Sequence, residues 1–225
     1  MRSTTPLPIV SRNREELVVM HVSNGIGVAI LAAGNSSRMG ASKLSIPFSE
    51  TTLLERSLQA AAKSNANQVV VITGSHQAEI SPIVARCSSA IEIHNANWGQ
   101  GQSTSVALAV EHAIQADYKA LVVMVADQPF VQAKHLNSLI SSYRIFRPRA
   151  CVSCVGARDG SPCLFDSDSF DELLSLKGDK GARSVYRQWP SEWVRYVTFD
   201  DANLFFDIDT PDDMSHYKKM VNCGQ

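Results

Sequence analysis

Three stretches of the chain combine residue types and spacings that suit the handling of a polyphosphate. In the first, Leu31-Ala32-Ala33-Gly34-Asn35-Ser36-Ser37-Arg38-Met39-Gly40-Ala41-Ser42-Lys43 follows an apolar run. Small residues let a backbone approach a ligand closely, successive N–H groups can line an anion cavity, and Arg38 and Lys43 add permanent positive charge. The second is Asp127, which leaves the apolar run 120–126 just before Gln128-Pro129. An acid emerging from a buried strand needs a cation or hydrogen-bond donors, so ligation of Mg2+ has a physical motive. The third is Asp207-Ile208-Asp209-Thr210-Pro211, where an extended backbone sends Asp207 and Asp209 to the same side. Each stretch also has a plainer reading: a surface turn for the loop, a turn cap for Asp127, and compensation of the next helix dipole for Asp207 and Asp209.

Commoner motifs do not account for these residues. A Walker loop needs Gly-Lys-Ser/Thr at a helix start, whereas Lys43 lies three residues beyond Gly40. The dinucleotide pattern fails because Gly25 and Gly27 precede the strand and position 30 is Ile. The sequence has no G-x-S-x-G elbow for a hydrolase, and its six histidines show no H-x-x-x-H spacing. Cys151 and Cys154 form a C-x-x-C pair inside a strand-like run. A strand turns residues three apart to opposite faces, which favours packing cysteines over a zinc or redox site.

The elements that must position these residues are legible from periodicity. Strands are expected at 28–31, 68–73, 90–94, 120–126, 150–155 and 193–199, with helices over 52–62, 75–86, 106–114 and 136–143. Thr52 and Glu55 make a capping box, and Thr210-Pro211 opens a last helix with acids in its first turn. Short β-branched runs alternating with helices predict an α/β fold: a single Rossmann-like domain with a mostly parallel sheet and helices on both faces. Residues 156–181, rich in Gly, Asp and Ser, are expected to form an irregular insertion. Residues 25–225 are read as the domain, preceded by a leader, 1–24, expected to be flexible.

Composition bounds the function from the other side. In 225 residues, 44% are hydrophobic and 19% charged, and 21 Lys+Arg against 22 Asp+Glu give a net charge of −1. That balance shows no electrostatic footprint for nucleic acid, and no apolar run approaches the ~20 residues of a membrane span. The leader lacks the pattern of a secretory signal, and the odd count of five cysteines fits free thiols, so a cytoplasmic location is expected.

Taken together, these motifs carry a resemblance. The loop 31–43 is similar to the L-A-x-G-x-S-x-R-M-G-x-x-K signature of a nucleotidyltransferase superfamily. Further on come Trp98-Gly99-Gln100-Gly101-Gln102-Ser103-Thr104-Ser105, Asp127-Gln128-Pro129, Gly160-Ser161-Pro162-Cys163-Leu164-Phe165, Gly178-Asp179-Lys180-Gly181-Ala182-Arg183 and Asp207-Ile208-Asp209-Thr210-Pro211. This series resembles the molybdenum cofactor cytidylyltransferases from about residue 28 to 217. One departure is Ala126, where many relatives have Gly.

The resemblance implies transfer of CMP from CTP to the terminal phosphate of molybdopterin, with release of pyrophosphate. Arg38 and Lys43 would hold the triphosphate and the leaving group. Asp127 and Asp209 would carry Mg2+, with Asp207 the alternative second ligand. Leu31, Ala32, Ala33 and Gly34 would line the nucleotide site, and Gly101, Gln102 and Ser103 offer groups suited to cytosine. The alternatives are a guanylyltransferase, a sugar- or alditol-phosphate nucleotidyltransferase, or a non-catalytic carrier that holds the finished cofactor and docks on a molybdenum hydroxylase.

Overall fold

The computed structural model describes residues 25–35, 42–48 and 51–222. The leader 1–24 and the stretch 36–41 that carries Arg38 lie outside the described residues. Seven strands form one sheet in the order β5-β4-β1-β6-β8-β7-β9. They are β1 (Ile26–Ala32), β4 (Gln68–Thr73), β5 (Ala90–His94), β6 (Ala120–Val125), β7 (Ala150–Val155), β8 (Arg158–Asp166) and β9 (Val194–Thr198). A small antiparallel ladder of β2 (Pro47–Phe48) and β3 (Thr51–Thr52) stands apart.

The strict alternation of side chains along the central strands explains the layers. Val28, Ile30 and Ala32 of β1 enter one core, with Val69 and Val71 of β4 and Val122 and Met124 of β6. Ala29 and Leu31, with Val70, Ile72, Leu121 and Val123, enter the other. A strand apolar at every position, as β1 is buried throughout, must be covered on both faces. The helices α1 (Leu53–Ala62), α2 (Gln77–Val84), α4 (Ala133–Phe146) and α7 (Pro211–Asn222) cover the first face; α3 (Gln102–Gln115), α5 (Phe170–Leu174) and α6 (Arg183–Tyr186) cover the second. The helix starting after Thr52 has the expected box: Thr52 Oγ1 accepts from the Glu55 N–H at 3.1 Å, and Glu55 Oε2 accepts from the Thr52 N–H at 2.8 Å.

The expected irregular insertion at 156–181 is corrected by β8. This nine-residue strand runs antiparallel between β6 and β7 inside the main sheet. Its sequence hides it because Gly160 and Pro162 are poor strand residues and its pairing is interrupted. Cys163 faces Val152, but the next residue of β7, Ser153, faces Gly160, so Ser161 and Pro162 bulge out of the ladder. Side chains repair the break: Ser153 Oγ donates to the Pro162 carbonyl at 2.6 Å, and Ser161 Oγ accepts from the Val125 N–H at 3.3 Å. Farther on, a 3-10 turn (Ser167–Ser169) and the short helix α5 occupy part of the segment, and α6 follows it.

In β7, Cys151 is fully buried, and burial pushes its thiol up to about 11; Cys154 is partly exposed and donates to the Gly156 carbonyl at 3.2 Å. Among the described residues no helix is long and apolar enough to cross a membrane.

Candidate active site

The chain runs outward from β1 through β4 to β5, then returns to pair β6 on the opposite side of β1. That reversal opens a crevice at the carboxyl ends of β1 and β6, where open α/β sheets bind their ligands. The crevice is a cleft of about 490 Å³. Leu31, Ala32, Ala33 and Gly34 form one wall and Val125, Ala126 and Asp127 another.

Lys43 bridges two of the predicted acids across this cleft. Its Nζ donates to Asp127 Oδ2 at 2.8 Å and to Asp209 Oδ1 at 2.7 Å. Burial pulls the Lys43 ammonium downward, but Asp127 and then Asp209 outweigh it and leave the group above its ordinary value. The two acidic loops are tied by backbone as well, since the Ile208 N–H donates to the Asp127 carbonyl at 3.1 Å.

Helix capping does not account for Asp209. The Asp213 N–H donates to Thr210 Oγ1, while Asp213 Oδ2 accepts from the N–H groups of Asp209 and Thr210. Thr210 and Asp213 thus make the cap, which leaves the Asp209 carboxylate for Lys43.

Asp207 sits differently from its neighbour. Its Oδ1 accepts from Gln128 Nε2 at 2.9 Å, and it faces a second cleft, of about 480 Å³. Burial raises its pKa, the Gln128 amide opposes that, and Asp127 and Asp209 add to the rise. An acid raised in this way binds its proton more readily folded than unfolded. Its cost to stability therefore grows as pH climbs from about 3.9 through the raised value, and is fully present at neutral pH. Asp207→Asn keeps an acceptor for Gln128 and removes the charge. Its melting temperature at pH 7 is expected to equal or exceed wild type, with any advantage shrinking toward pH 4. A clearly lower melting temperature at pH 7 would show that a cation holds the carboxylate.

The residues fit a divalent cation carried by a nucleotide. Asp127 Oδ1 is buried and has no hydrogen-bond partner among the described residues. Mg2+ commonly takes one or two carboxylates and fills its remaining positions with phosphate and water. The described residues contain no cluster of three or more His, Cys, Asp or Glu able to cage a metal; Asp127 and Asp209 are two carboxylates that meet at the first cleft.

The opposite wall of the first cleft comes from the start of α3. Gly101 has φ 107, and a Cβ there would lie 2.3 Å from the Gly178 carbonyl carbon; only glycine permits that approach. The contact seats 178–181 on the helix start, with the Ser103 N–H donating to the Gly178 carbonyl at 3.0 Å. Both serines at the start of α3 are buried; Gly101, Gln102 and Ser105 line the cleft and Ser103 is not among its lining residues. Ser105 Oγ is fixed by a hydrogen bond from Asn95 Nδ2 at 2.9 Å.

Sequence reading gave Asn35, Ser105 and Asp179 of the first cleft only as members of motifs, with no role of their own, and missed Asp159 and Arg187 in the second. Asp159 Oδ1 accepts from Arg183, Arg187 and Tyr186 at 3.2, 3.0 and 2.9 Å. The G-D-x-G-A-R resemblance pointed to Arg183 but carried no signal for Arg187.

The site is thus an acid–lysine–acid bridge at the switch point of an open, mostly parallel sheet, with two clefts that share Leu31, Gln102 and Val125. Residues 28–193 match the MobA-like NTP transferase domain, and the chain belongs to that family. It is a nucleotidyltransferase of the MobA-like type. It is 30% identical to the purine catabolism protein PucB of Bacillus subtilis, over 88% of this chain and 97% of the relative. It is 27% identical to the molybdenum cofactor cytidylyltransferase of Escherichia coli, over 84% of this chain and 94% of the relative. Rv0371c of Mycobacterium tuberculosis has the same fold, with TM-score 0.74, 24% identity and coverage of 88% and 99% of the two chains.

Proposed function

We propose that the protein transfers CMP from CTP to the terminal phosphate of molybdopterin, giving molybdopterin cytosine dinucleotide and pyrophosphate. The observation that carries this reading is the pair of clefts of similar size, which share Leu31, Gln102 and Val125 and meet beside the acids. The first cleft, with Lys43, Asp127 and Asp209, suits a triphosphate. The second, with Arg183 and Arg187, suits an acceptor that ends in a phosphate. Attack of phosphate on phosphate opposes like charges, so catalysis rests on orientation and cations, with no protein nucleophile required. Asp127 and Asp209 would hold Mg2+, which when bound supplies neutralisation of phosphate charge. Lys43, and by sequence Arg38, would meet charge on the triphosphate and departing pyrophosphate. The Escherichia coli relative supports the choice of acceptor and base.

For the base, the Ala33 methyl narrows the wall against a purine, and Gln102 and Ser105 offer amide and hydroxyl groups to a pyrimidine edge. A ligand at ~100 times its dissociation constant adds ~2.7 kcal/mol, roughly 5–11 °C in a domain of this size. With Mg2+ present, CTP is expected to raise the melting temperature by that order and GTP by much less. Equal shifts would remove the cytidylyl assignment and leave nucleotidyl transfer in place. The same reading extends to docking of the protein on a molybdenum hydroxylase that receives the product.

A further inference from the structure

The turn between β4 and α2, with the first turn of α2, holds both shoulders of the signature loop, although none of the residues involved belongs to the motifs described above. On the outgoing side, Ser75 Oγ donates to the Gly34 carbonyl at 3.0 Å, and His76 Nε2 lies 2.9 Å from the Asn35 carbonyl oxygen. The approach is close: a Cβ on Gly74 would lie 2.6–2.8 Å from Ala33 atoms, two of them backbone. On the incoming side, the Ser45 N–H donates to the Ser42 carbonyl at 3.2 Å, which leaves the single Ser45 hydroxyl proton for Glu79 Oε2 at 2.9 Å. The two sides meet in one carboxylate, because His76 Nδ1 lies 3.2 Å from Glu79 Oε1; with a carboxylate at Nδ1 and a carbonyl at Nε2, the ring joins both when each nitrogen carries a proton. The Ser45 hydroxyl, first among its causes, holds the Glu79 carboxyl below its ordinary value. Residues 36–41, with Arg38, lie in sequence between the two shoulders, and Lys43 follows directly on the second.

We infer that Glu79 is a positioning residue for nucleotide binding, the node of a clasp that joins Asn35 through His76 to Ser42 through Ser45. It touches no reacting atom. Its effect is to fix the separation of the loop ends before substrate arrives, so that less conformational entropy is lost when phosphates bind. Chemistry at saturating nucleotide is then largely unaffected, while affinity for the triphosphate depends on the clasp. The inference rests on the reading of the first cleft as the triphosphate site.

Glu79→Gln and Glu79→Ala separate hydrogen bonding from mere packing. A glutamine amide keeps both contacts with the polarity of one reversed: its oxygen accepts from Ser45 as the carboxylate does, and its N–H donates to His76 Nδ1, which in the wild type must donate to the carboxylate; alanine has neither. Two measurements apply to each variant. The first is hydrogen exchange of residues 33–35 and 42–46 without nucleotide. The second is the dissociation constant of Mg·CTP and Mg·GTP, with KM and kcat for whichever is turned over.

Glu79→Ala is expected to speed exchange at both shoulders and to raise the nucleotide dissociation constant and KM about tenfold, with kcat within about twofold. Glu79→Gln is expected to stay within about twofold of wild type throughout. His76→Ala in the Glu79→Ala background is expected to cost less than in wild type, because the two residues act in one chain. Unchanged exchange in Glu79→Ala, a loss confined to kcat, or a glutamine variant as impaired as alanine would each overturn the clasp. If wild type bound neither triphosphate, the reading of the cleft would fall; the exchange measurement would still decide whether Glu79 ties the two shoulders.

Discussion

Asp127→Asn is expected to lower nucleotidyl transfer by on the order of 10²–10³-fold while leaving the far-ultraviolet circular dichroism spectrum unchanged. The aspartate stands at the carboxyl end of β6, one oxygen on Lys43 and the other buried without a partner among the described residues. Asparagine keeps the volume and removes the charge. Losing one preorganised electrostatic contact to a transition state commonly costs about 10²–10³ in rate, and here the substitution also strips the Lys43 ammonium of one of its two acids. Wild-type turnover in the folded variant would show that Asp127 caps its turn and does no more.

Lys43→Ala is expected to cost on the order of 10²-fold in turnover and to change how the protein answers a divalent cation alone. Without the ammonium, Asp127 and Asp209 face each other with no shared positive charge. Breaking a fully buried pair costs about 3–5 kcal/mol; here the Asp209 side chain is 52% exposed, and solvent screening brings the expected loss to about 1–2 kcal/mol, roughly 2–8 °C in melting temperature. Added Mg2+ is then expected to restore more of the melting temperature in the variant than it adds to wild type, because the lysine no longer competes for the carboxylates. An equal response in the two proteins would mean that the cation does not use this pair of acids.

The parts of this site that were legible in the sequence are those where local chemistry and long-range position agree. The run 28–31 reads as a strand because every residue is apolar, and the Gly/Ser stretch after it reads as a ligand loop because strands of this fold end at the binding edge. Thr52 and Glu55 declare a helix start within four residues. The acids were legible as acids, but their division of labour was not. Asp207 and Asp209 share a side in an extended chain, and only the tertiary contacts to Gln128 and Lys43 send one toward the second cleft and the other toward Asp127.

Strand β8 was hidden for a related reason. Its glycine and proline weaken the local signal, while its stability comes from β6 and β7 on either side and from the serine hydroxyls that bridge its bulge. The facing of α3 sets the wall of the cleft: Gln102 and Ser105, three apart on the helix, line it, a selection that the linear motif Gly101-Gln102-Ser103 does not show. Arg187 and Asp159 lie 28 residues apart in sequence and meet only in the fold, so no short motif could announce them.

The reaction itself gives the most direct test. The protein is mixed with Mg2+, molybdopterin and either CTP or GTP, pyrophosphate release is followed, and the pterin product is identified by mass. One pyrophosphate is expected for each molybdopterin cytosine dinucleotide formed, with CTP strongly preferred and no release when molybdopterin is left out. Release of pyrophosphate from CTP without a dinucleotide product, or a dinucleotide formed equally well from GTP, would contradict cytidylyl transfer to molybdopterin.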